Sequence, residues 1–164
     1  MKQNLIFVLT LVSALGSGLI AGVFFAFSSF VMKALAHLPP AQGIAAMQSI
    51  NVAVLNRWFF AVFFGTAAAC LLLAFFALAN RQHTGVGYLL AGSALYLLGT
   101  ILVTIVGNVP RNDALAAVDP ASTAGASLWA GYLAGWTAWN HVRTVAALAA
   151  AVVFTLALAK ADGP

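Results

Sequence analysis

Residues 5–35 read LIFVLTLVSALGSGLIAGVFFAFSSFVMKAL, a run whose only charge is Lys33 near its end. Coiled as a helix at about 1.5 Å per residue it would extend about 45 Å, more than the ~30 Å hydrocarbon core of a bilayer. It must therefore tilt or protrude on one side. Met1-Lys2 ahead of it has the flavour of a signal peptide, but the run is too long and lacks a polar region before any cleavage site. It reads as a retained transmembrane helix. Ala14, Gly18 and Gly22 form a small-residue ladder along it, a surface on which another backbone can approach closely. Pro39-Pro40 ends it, because the ring removes a donor and clashes with the preceding turn.

The rest of the chain has the same character. Of its 164 residues 63% are hydrophobic and 6% charged, and the mean hydropathy is +1.02. A water-soluble domain carries about a quarter charged residues, so this chain cannot cover a wet surface. It reads as a single integral membrane domain over residues 1–164. The net charge of +4 is scattered, with no basic run, which argues against nucleic acid as a partner and for loop charges that orient helices. Cys70 stands alone, so no intrachain disulfide can form. Glutamate is absent and the three acidic residues are Asp113, Asp119 and Asp162. That excludes a carboxylate-bridged di-iron centre and a buried carboxylate proton relay.

Beyond the prolines, Ala41–Asn51 reads as a short, mildly amphipathic helix, with Gln48, Asn51, Leu55 and Trp58 on one face if it continues onward. A second span runs from about Trp58 to Leu78, a polar turn covers Asn80–Gly85 with His83 solvated, and Val86–Val106 is the third span. Gly107 is expected to end that span, and Asn112 to cap a short helix over Asp113–Val118. The last helix begins near Ser127 and reaches Ala159, with Gly131 and Gly135 a second small-residue pair. The expected fold is all-α: a four-helix transmembrane bundle with short extramembrane helices in its two larger connections. Four spans place both termini on one side, read here as the cytoplasmic face of a bacterial inner membrane, with most of the unusual polar residues on the other.

Trp136-Thr137-Ala138-Trp139-Asn140-His141-Val142-Arg143 carries the densest chemistry. On a helical wheel Trp129, Tyr132, Trp136, Trp139, Asn140 and Arg143 fall within one arc of roughly 100°, and His141 points away from it. Two readings stand for each group. The aromatic residues form an interfacial belt, or a flat slot for a planar ring system. Arg143 snorkels to headgroups, or holds an oxyanion at the slot's polar end. Asn108 and Asn112 serve turn chemistry, or present amides inward. Asn51 and Gln48 face the bundle and hydrogen-bond the Asn108 loop. His37 and His141 share a membrane face, but their spacing fits no metal motif.

Several ordered motifs resemble one family. They are Ala21-Gly22-Val23-Phe24-Phe25-Ala26-Phe27-Ser28, then Pro39, Gly43 and Met47-Gln48-Ser49-Ile50-Asn51, then Gly107-Asn108-Val109-Pro110-Arg111-Asn112, and finally the Trp136–Arg143 stretch. Together they resemble the anthrone oxygenase family of small four-helix membrane proteins, over almost the whole chain. The family is named for members that oxidise a polyketide anthrone to an anthraquinone with dioxygen. The resemblance implies functional positions at Asn108, Asn112, Asn140 and Arg143.

The expectation is an oxygenase for a planar phenolic or polyketide-like molecule that needs no metal or cofactor. Trp136 and Trp139 would form the slot, Arg143 and Asn140 an anion clamp, and His141 a general base. Asn108, Asn112 and Asn51 would add substrate contacts. Two alternatives remain. One is a non-catalytic membrane protein binding a lipophile, a partner subunit or a second copy through its small-residue faces. The other is a haem or quinone carrier using His37 and His141.

Overall fold

Four helices among the described residues are long and apolar enough to cross a membrane: Gln3–Ala36, Arg57–Ala79, Val86–Ala116 and Thr123–Lys160. The structure, a computed structural model, describes residues 2–82 and 85–161. His83, expected on a solvated turn, lies outside them, as does Asp162. The chain is a multi-pass membrane protein, and its regular elements among the described residues are all helices.

The first span is α1 (Lys2–Ala26), a π-helical turn over Phe27–Val31, and α2 (Met32–Ala36). Pro40, at the first turn of α3 (Pro40–Ala53), marks the break. There its missing N–H would have had no partner anyway. The expected continuous face from Gln48 to Trp58 does not form. Asn56 interrupts it, donating to Ala53 O at 2.9 Å while its Oδ1 accepts from Trp58 N and Phe59 N at 3.0 and 3.1 Å. One side chain thus closes α3 and caps α4 (Arg57–Ala79).

The third span corrects two expectations. Gly107 does not end it and Asn112 caps nothing. α5 (Val86–Tyr96) runs through π turns over Leu97–Leu102 and Thr104–Asn108 into α6 (Val109–Ala116). Pro110 falls in the first turn of α6, where a missing N–H is tolerated, so the proline does not stop the rod. α7 (Thr123–Ala161) is the longest element. At about 1.5 Å per residue it measures about 58 Å and must project well beyond the bilayer.

α7 packs on α1, α3, α5 and α6, while α4 packs on α1 and α5. Two cores result. The bundle core holds Ile20, Phe24, Phe63, Cys70, Leu73, Tyr96, Ala147, Ala150 and Phe154. Its helices approach closely where glycine faces a neighbour: Gly16 lies against the Thr66 side chain, and a β-carbon at Gly92 would sit 2.8 Å from the Phe154 ring. The second core caps one end, where Met32, Leu35, Ile44, Met47, Leu115, Trp129, Tyr132 and Trp136 meet. The small-residue pairs divide differently from expectation. Gly18 and Gly135 face neighbours within the chain, Ala151 and Arg111, whereas Gly22 and Gly131 have open space beside them.

Candidate functional site

Where the bundle core meets the cap core lies a cavity of about 250 Å³. Its walls come from α1 (Phe24) and the π turn that follows it (Phe27), α3 (Met47, Asn51), α4 (Phe59, Phe60, Phe63, Phe64), the second π turn of the third span (Thr104, Ile105) with Asn112 of α6, and α7 (Trp136, Arg143). A π turn widens the helix and re-aims its side chains, and such turns recur at functional sites. Here they occur in two of the walls.

Arg143 is the polar end. It is 6% exposed. Its Nε donates to Asn140 Oδ1 at 2.9 Å, and one Nη to Thr104 Oγ1 at 3.3 Å. The guanidinium carbon lies 3.9 Å from the Phe24 ring centre and 5.0 Å from that of Trp136. Neither Asp113 nor Asp119 pairs with it, so the cation has aromatic faces and neutral acceptors but no counter-ion among the described residues. The second Nη group is left without a protein acceptor. A guanidinium carries five N–H donors, and a buried charge is costly unless it is paired. The snorkelling reading therefore fails, since this side chain points into the protein.

Asn140 holds the guanidinium in place. It is fully buried, and its Nδ2 donates to Phe24 O and Ser28 Oγ, both at 2.7 Å. That fixes its Oδ1 as the acceptor turned to Arg143. Asn112 performs a similar service in the cap, its Oδ1 accepting from Tyr132 OH at 3.0 Å and Trp136 Nε1 at 2.8 Å. The Trp136 indole is thereby locked as one wall, tilted against Phe27 at 5.6 Å. Asn108 is buried behind this wall and donates to Trp136 O at 3.1 Å. Gln48 ties α3 to the end of α6, donating to Leu115 O and Val118 O at 2.8 and 3.0 Å. Its partners are therefore one helix further on than the Asn108 loop.

Of the eight residues singled out in the sequence, Asn51, Asn112, Trp136 and Arg143 line the cavity. Asn140 and Asn108 stand directly behind it as positioning residues. Trp139 and His141 do not belong to it. Trp139 packs on Gly107, with the Arg111 guanidinium 5.9 Å from its ring centre. It is therefore not the second leaf of the slot. His141 is exposed on a shallow groove with Ser28, Lys33 and Thr137. Two positions before Arg143, it is turned by roughly 200° around the helix, so it does not face the cavity that Arg143 lines. His37 is also exposed, its Nδ1 2.6 Å from Lys33 O. Among the described residues no three His, Cys, Asp or Glu side chains cluster as metal ligands would.

The sequence reading names Phe24 and Phe27 only within a family motif, and the aromatic wall of α4 not at all. Phe59 and Phe63 stack at 5.3 Å, and Phe24 meets Phe63 edge-on at 6.4 Å. The spacing Phe59-Phe60…Phe63-Phe64 was visible as an i, i+4 double ladder. In so apolar a span it did not stand out from lipid-facing hydrocarbon.

No curated protein and no solved structure matches the chain. The sequence profile of the anthrone oxygenase family matches residues 55–153, which hold α4 to α6 and most of α7. The chain is a member of the anthrone oxygenase family.

Proposed function

We propose that the cavity binds a planar, acidic aromatic molecule of the anthrone type and promotes its oxygenation by dioxygen, with no cofactor of the protein taking part. One observation carries this reading: a buried guanidinium with no counter-ion among the described residues faces an aromatic-walled cavity. The missing anion is assigned to the ligand. Loss of a proton from the methylene between two aromatic rings gives an enolate whose oxygen accepts from the free Nη group of Arg143. Stabilising that charge in a dry site is worth far more than in water. The released proton goes to water. The carbanion transfers one electron to dioxygen, and the radical pair combines to a hydroperoxide at the same carbon once protonated. Loss of water then leaves a carbonyl, so CH₂ and O₂ become C=O and H₂O.

Trp136 and the Phe24, Phe27, Phe59 and Phe63 rings hold the flat skeleton. Asn140 and Thr104 aim the guanidinium. No base is assigned, because the cavity contains none stronger than an amide or hydroxyl. The same lack favours a second reading, in which the cavity binds a lipophilic anion without transforming it.

The experiment is oxygen uptake by the protein in lipid nanodiscs supplied with an anthrone. One O₂ consumed per quinone formed, at a rate two orders of magnitude or so above protein-free nanodiscs and lost in Arg143→Met, supports the oxygenase. Binding of the anthrone without acceleration supports the second reading. Rates equal to those of empty nanodiscs, with no binding, refute both.

A further inference from the structure

Five residues around the cavity are exposed, and all five are apolar: Leu55, Phe60, Phe64, Ile105 and Val109. Phe60 and Phe64 are one helical turn apart on α4, and Ile105 and Val109 one turn apart on the third span. The two pairs form facing sides of a gap. α4 packs on the third span along Val86–Leu102 and scarcely beyond it, so the helices diverge toward the cap. The gap begins in the first two turns of α4, a level marked by the Asn56 cap and by the Arg57 guanidinium 4.8 Å from the Trp58 ring centre. Aromatic and cationic residues of this kind sit at the membrane surface. Phe60 and Phe64 then fall within roughly 5–11 Å of that level, inside the hydrocarbon.

A route from water would have polar groups at its mouth. The cation, Arg143, lies instead at the buried end, and the half-buried amides Asn51 and Asn112 sit on the cap side, which the cap core closes away from the membrane with Met47, Tyr132 and Trp136. We propose that the cavity takes its ligand sideways from the bilayer, through a portal between Phe60 and Phe64 on one side and Ile105 and Val109 on the other. This rests on the reading that the cavity holds an aromatic anion. The ligand is a membrane-dissolved polycyclic phenol that slides in with its acidic end leading, reaches Arg143, and leaves its far ring at the portal. An alkyl tail on that far ring extends into lipid and is tolerated. The same tail beside the acidic oxygen is not.

The test uses the full chain in nanodiscs and 1,8-dihydroxyanthraquinone, an unreactive planar phenol, followed by its own absorbance after rapid mixing. Phe64→Trp and Ile105→Trp narrow the gap at positions that face lipid, where bulk does not disturb packing. Each is expected to slow association and dissociation about ten-fold, and Phe64→Ala to speed both. Unchanged rates in both tryptophan variants, with the wild type still binding, overturn the portal and leave the Arg143 reading intact. No binding by the wild type removes the Arg143 reading as well.

Discussion

The bundle core and the cap core hold their helices together by different means. In the bundle, contact comes from close approach: Gly16 on Thr66, Gly92 under Phe154, and Gly99 with a β-carbon position 2.5 Å from that of Ala146. Lipid tails are as apolar as leucine, so fit and dispersion rather than water exclusion drive the association of such helices. The cap behaves as a small water-side core. Its indole, phenol and amides are tied by hydrogen bonds, as Asn112 with Tyr132 and Trp136, Asn108 Nδ2 with Trp136 O, and Gln48 with Leu115 O and Val118 O, although Asn108 Oδ1 is left without a partner among the described residues. The cavity occupies the seam, walled by bundle phenylalanines on one side and held at its polar end by cap-like hydrogen bonding on the other. A buried cation can persist there because the Asn140 amide and the Thr104 hydroxyl hold it between the Phe24 and Trp136 rings while hydrocarbon excludes water.

Arg143→Met breaks this contrast most severely. Oxygenation is expected to fall by about two orders of magnitude, to the protein-free rate. The melting temperature should hold or rise, because replacing a buried unpaired charge with a hydrophobe of similar length removes a desolvation cost. A large loss of stability would mean that Arg143 is structural glue. Asn112→Leu comes next. It strips the acceptor from two donors, each costing about 1–3 kcal/mol when left unpaired, and lets the Trp136 wall turn. Both stability and ligand affinity should drop, read by thermal unfolding and probe titration. Gly92→Leu probes the bundle instead, where overpacking against Phe154 costs about 1–3 kcal/mol. It should lower stability while leaving the probe's dissociation constant unchanged in the protein that folds.

How far the sequence discloses these regions differs in the same way. Span number and approximate limits follow from apolar run length, and Pro39-Pro40 from ring chemistry. The inward face of Trp136, Asn140 and Arg143 follows from the 3.6-residue period. The same period turns His141 away, onto the groove with Lys33 and Thr137. The π turns at Phe27–Val31 and Thr104–Asn108 have no residue signature, so a glycine and a proline at 107 and 110 read as a stop. In the walls, phenylalanines facing a cavity and phenylalanines facing lipid are chemically identical. Only the neighbouring helices decide which is which. His141→Ala is accordingly the smallest predicted effect: within about two-fold of wild type in oxygenation, as for an exposed side chain without a partner in the site. A ten-fold loss would restore it as a participant.

The most direct measurement is the ionisation of a bound phenol. With 1,8-dihydroxyanthraquinone in nanodiscs, the midpoint between its neutral and red-shifted anionic spectra is followed by pH titration in the wild type and in Arg143→Met. A cation within reach of the phenolic oxygen favours the anion, so the wild-type midpoint is expected about 1–3 units below that of the variant. Equal midpoints for bound probe in the two proteins would contradict the assignment of Arg143's counter-ion to the ligand.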